Sequence, residues 1–251
     1  MKATTAGLTL LFFALTAHSC IWITGTKFNS KSVSTSGRAG ARLLRYYLQK
    51  DKKPDGVQME ASLRGATNFN DRSDYSVALM YLGRSPAAVE LLQQLEKEKP
   101  GQYFIAANLG TAYELSGNNE EALRWINEGL RRDPDSHEGT EWLHAKILEA
   151  KIAQQKDPNF FKNHSVLELQ PQTLGDAVSI GQQTISRKQL AEAIQHQLAE
   201  RVQFVKPPDP AVASLLFDYA AIEAVSTTLE SAKSILEMAM EYGYPPTRFS
   251  R

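Results

Sequence analysis

The chain contains one cysteine, Cys20, among its 251 residues. No intramolecular disulfide is therefore available, and the fold must rest on packing. Net charge is absent as well: Lys+Arg and Asp+Glu are 28 each. A basic excess, the footprint of a nucleic-acid binder, is missing, so nucleic acid is not expected as a partner. After position 24 no run of 18 apolar residues occurs, which argues against a spanning helix in the body of the chain. Catalytic signatures are also lacking. There is no GxSxG, no P-loop and no ordered GxGxxG; "GRAGAR" (37–42) has spaced glycines without a preceding strand. "NFNDRSD" (68–74) lacks the central glycine and closing glutamate of a calcium loop, and Asn70 or Asp71 is expected to cap a helix there instead. His137, His144, His164 and His196 show no i, i+4 histidine pair, and "HEGTEWLH" (137–144) is not HExxH. No catalytic residue, cofactor or metal site is assigned on these grounds. Glu141 and His144 share a helix face, a spacing read as an exposed contact.

What is present begins at the N-terminus. Lys2 precedes a 12-residue apolar run, "AGLTLLFFALTA" (6–17), with small Ala17 and Ser19 near Cys20. This pattern predicts an export signal over 1–19. Adding "IWI" (21–23) leaves an uncleaved anchor as the alternative. Cys20 stands where bacterial lipoproteins carry their lipidated cysteine; lipidation and a cysteine merely flanking a cleavage point both stay open. The expected location is periplasmic or envelope-associated, with membrane association through the N-terminus. Residues 20–40, rich in Ser, Thr and Gly, predict a linker, and 41–68 an N-terminal helical segment.

The body repeats with a period of 34. Gly83 aligns with Gly117, Ala88 with Ala122, Leu92 with Ile126, Pro100 with Pro134 and Leu79 with Tyr113. Such a period is the mark of stacked helix pairs. Gly83 and Gly117 suit a left-handed helix end. Ala88 and Ala122 suit a close helix contact, and the prolines open the next unit. Gly110 sits where a first helix crosses its neighbour. "NLGTAYELSGNNEEALRWINEGLRRDP" (108–134) resembles the tetratricopeptide repeat at Leu109, Gly110, Tyr113, Gly117, Ala122, Ile126 and Pro134. It departs from that pattern at Ala106 and Gly129. The unit at 69–102 is weaker, with Ser76 in the place of Gly110. The resemblance implies an all-α, right-handed superhelix of antiparallel helix pairs and a non-enzymatic protein-binding role.

Two repeats need a cap. A closing helix is predicted at 140–155, completing a repeat region 69–155. An irregular connector with one helix follows at 156–210, that helix being 186–202 with Ser186 and Gln189 as a capping box. A C-terminal helical hairpin, 211–251, ends the chain. In such an array the first helices line the concave face. By periodicity Tyr81, Phe104, Asn108, Thr111, Glu114, Leu115 and Glu141 belong to it, an acid-bearing groove for a peptide or helix with apolar anchors and a basic residue. The alternative reading is an enzyme or small-ligand site in 156–251, with the repeats as a docking platform. It requires His164, Asp176 and His196 to meet in one cleft.

Overall fold

A computed structural model describes residues 44–45, 55–169, 174–181, 183–227 and 229–245. The export signal, the linker, Cys20 and most of the helix expected at 41–50 lie outside them.

The described chain is mostly helical, as the repeat pattern predicts. Helix α1 (Gly56–Leu63) starts where the Asp55 carboxylate accepts the N–H groups of Val57 and Gln58. Helix α2 (Phe69–Tyr81) is capped by Asn68, whose side chain accepts the Asp71 N–H at 2.9 Å. The cap is thus two residues before Asn70 and three before Asp71, both of which are already helical. Helices α3 (Ser85–Glu98), α4 (Tyr103–Leu115) and α5 (Asn119–Arg132) follow, each packed against its predecessor. The pairs α2–α3 and α4–α5 are the two repeats. Gly83 and Gly117 have φ of 72° and 83°, the left-handed turn that ends each first helix. A Cβ on Gly110 would stand 2.4 Å from Ile126 Cδ1, so only hydrogen fits at the α4–α5 crossing.

The turn Ser136–Gly139 is unusual. His137 and Glu138 both adopt left-handed backbone, at φ 49° and 58°. Two successive residues with side chains in that region cost about 1–2 kcal/mol each. Helix α6 (Glu141–Lys156) then packs on α5 and closes the array. Its Ala145 and Leu148 join Ile126 in one cluster, while Leu143 and Ile147 enter the larger C-terminal core.

That core is built from α6, the one-turn helix α7 (Phe160–Asn163), α8 (Arg187–Phe204), α9 (Pro210–Ser226) and α10 (Leu229–Glu241). Phe160 and Phe161 pack against it and Leu167 is buried in it. Ser186 caps α8 in a complete capping box with Gln189. The connector holds a feature the sequence reading left out: an antiparallel hairpin of β1 (Ala177–Ile180) and β2 (Gln183–Ser186). Ile180 pairs with Gln183 and Gly181 takes φ 60°, a two-residue turn of the kind glycine permits. Leu44 is buried in the same core, and Arg45 reaches Ser234 and Glu237 of α10. Among the described residues no helix is long and apolar enough to cross a membrane.

Candidate functional site

The first helices α2, α4 and α6 each meet the C-terminal part of α8. One stripe of α8 (Leu190, Ile194, Leu198) is buried in the C-terminal core. Its other face carries His196, Gln197, Glu200, Arg201, Gln203 and Phe204. Phe204 stacks on Tyr81 of α2, ring centroids 4.6 Å apart, and the Tyr81 hydroxyl donates to Gln203 at 3.3 Å. Arg201 spans both carboxylate oxygens of Glu114 on α4. The crevice left among Thr111, Glu114, Leu115, His144, Arg201 and Phe204 is about 30 Å³. Little more than a water fits there.

Glu114 is the hub. Lys151 donates to it at 2.8 Å and His144 Nε2 stands 2.8 Å away, both from α6. Burial pushes the Glu114 carboxyl upward. Arg201, Lys151 and His144 outweigh it and hold the group well below the ordinary carboxylate range. Burial likewise opposes the charged form of His144, yet Glu114 and Glu141 raise it above its usual value. Glu141 lies 3.3 Å from His144 Nδ1. Both residues are buried, which corrects the exposed contact expected from their spacing: α8 covers the α6 face that an open array would show to water.

A second knot adjoins the first. His196 Nε2 is 3.0 Å from Glu200 Oε1, and His137 Nδ1 is 3.8 Å from the same oxygen. The His137 and His196 rings meet edge-on at 5.9 Å. Burial opposes the imidazolium of His196, but the Glu200 carboxylate raises it to about 9. Burial raises the Glu200 carboxyl in turn, and the two imidazoles outweigh it and hold it far below normal. Sequence spacing gave no metal set. Among the described residues the fold nevertheless brings His137, His196 and Glu200 together, with donor atoms within 4.8 Å of one another.

The other residues read as concave fall as follows. Thr111 and Leu115 face α8 beside Glu114. Asn108 is fully buried, its amide 3.5 Å from Ser73 Oγ of the preceding repeat. Phe104 is half-buried and edge-on to Phe69 at 6.1 Å. His164, Asp176 and His196 do not meet. His164 pairs with Glu168, Asp176 is fully exposed beside Arg187, and His196 lies in the buried knot. The required cleft for the enzyme reading is therefore not formed by those three. Sequence reasoning missed His137, Glu200 and Arg201. One signal was available: His196 and Glu200 are i, i+4 on α8, a mixed donor pair that a search for two histidines passes over.

Residues 79–146 match the tetratricopeptide repeat family, from the last turn of α2 into α6. No curated protein and no solved structure matches the chain.

Proposed function

From the tetratricopeptide repeats that the chain carries across residues 79–146, we propose a non-enzymatic interaction scaffold whose inner wall grips a helix bearing a basic residue and an aromatic. Repeats of this family generally mediate protein–protein interaction and are typically non-enzymatic. One observation carries the finer reading. The wall is already filled by a helix, α8, whose Arg201 enters the acid at Glu114 and whose Phe204 lies on Tyr81. A groove with an acid and an aromatic shelf suits this occupant, and a partner helix with the same pair at i, i+3 would compete with α8 for it. Because α8 is also held by the C-terminal core, the competent open form is a minor state. Partner affinity is then reduced by that fraction.

The setting we propose is the bacterial cell envelope. Its support is Lys2, the apolar run 6–17 and Cys20 in the lipoprotein-like position. Mass analysis of the N-terminal peptide from membrane extract distinguishes acylated Cys20, free Cys20 and an uncleaved leader.

The test of the binding reading uses a labelled peptide of residues 190–206 and the full chain with Arg201→Ala and Phe204→Ala. The loosened chain should bind the peptide saturably and more tightly than the unaltered chain, and Glu114→Gln added to it should abolish binding. Absence of binding to the loosened chain would contradict the proposal.

A further inference from the structure

We propose that His137, His196 and Glu200 form a binding site for one divalent transition-metal ion of the zinc class, which staples α8 to the turn that closes the second repeat. The three donors come from two elements far apart in sequence and converge in the buried knot. Glu200 and His137 side chains are 3% and 5% exposed, whereas His196 is 17% exposed and gives an ion its way in. Two imidazoles and one carboxylate are ligands that zinc accepts, leaving a fourth position for water. Imidazole donors select against magnesium and calcium, which take oxygen.

The distances suit this assignment. Tetrahedral bonds of about 2.0–2.1 Å set ligand atoms about 3.4 Å apart. The two separations from Glu200 Oε1, 3.0 Å and 3.8 Å, bracket that value, and all three donor atoms lie within 4.8 Å of one another. His196 and Glu200, one helical turn apart on α8, present donors from one face. His137 arrives from the opposite side on left-handed backbone, φ 49°, followed by Glu138 at φ 58°. Backbone held in that sparse region clusters at ligand clamps. An ion pair between His196 and Glu200 would need neither this turn nor a third donor.

Calorimetric titration of the chelator-treated full chain with Zn²⁺ tests the site. One equivalent should bind, and the unfolding temperature should rise with zinc by mass action. His137→Gln should keep its helical circular dichroism and lose affinity by more than the roughly 10–100-fold that an outer-shell change costs. No zinc binding, or a folded His137→Gln chain that binds as tightly as the unaltered one, would overturn the proposal. Should that variant fail to fold, X-ray absorption of the zinc-loaded, unaltered chain decides. Imidazole scattering with only nitrogen and oxygen neighbours supports the site; a sulfur neighbour, pointing to Cys20, refutes it.

Discussion

Arg201 on α8 and Glu114 on α4 stand 87 residues apart in the chain and form a buried two-point ion pair, with the guanidinium Nη2 3.2 Å from Glu114 Oε2. A buried pair repays its desolvation only when its remaining lone pairs are also satisfied. Lys151 and His144 do that for Glu114. The inner wall of the repeats is therefore neutralised from within the same molecule, and the acid expected to attract a partner already holds a cation.

The Glu114–His144 contact makes stability depend on pH in both directions. Glu114 faces Arg201, Lys151 and His144, and its folded pKa lies below 4.5. Its contribution is complete above about 4.5 and is lost as pH falls towards the folded value. His144 faces Glu114 and Glu141, and its folded pKa lies above 6.5. Its contribution is complete below about 6.5 and is lost as pH rises. Denaturant unfolding of the chelator-treated chain should show both contributions complete between those values. Glu114→Gln should make both limbs shallower, the remainder coming from Glu200 on the acid side and His196 on the alkaline side; unchanged limbs would contradict the assignment.

Gly110→Ala should destabilise the protein although alanine is the better helix former by about 1 kcal/mol. The new Cβ would meet Ile126 Cδ1 at 2.4 Å and Cγ1 at 2.6 Å. Overpacking of this kind costs about 1–3 kcal/mol. Ile126→Val removes Cδ1, so the double variant should be less destabilised than the two single losses summed. Thermal unfolding of the four proteins measures this, and strict additivity would place the clash elsewhere.

Ser186→Ala should cost about 0.5–2 kcal/mol, because it removes the side chain that accepts the Gln189 N–H and half of the capping box. Faster amide exchange should be confined to the first turn of α8. A loss of protection spread over α2 and α4 would mean that this end of the helix holds the wall together.

The repeats were legible because each is a local pattern: Gly83 and Gly117 as left-handed ends, Gly110 as a crossing, all within a 34-residue period. Helical periodicity put Glu114 and Glu141 on one face, but their burial was not legible: the spacing of Glu141 and His144 reads as an exposed contact, and both are buried. Nor was the occupant. Residues 186–202 read as an amphipathic helix with one apolar stripe; the sequence offers His196 only for a cleft with His164 and Asp176, and assigns Glu200 and Arg201 no role. Only the tertiary fold sets His196, Glu200 and Arg201 against α4, α6 and the turn at His137. The β-hairpin left a weaker trace. Val178 and Ile180 alternate with Ser179 before Gly181, too short a run to stand against a connector otherwise rich in polar residues.

A double-mutant cycle on Glu114→Gln and Arg201→Met reads out whether α8 lies against the first helices of the repeats. Each single change leaves charge buried without its main partner and should cost about 3–5 kcal/mol. With both changed, the loss should fall short of the sum by about 1–3 kcal/mol. Additivity within about 0.5 kcal/mol would show that the two residues do not meet and would contradict the account.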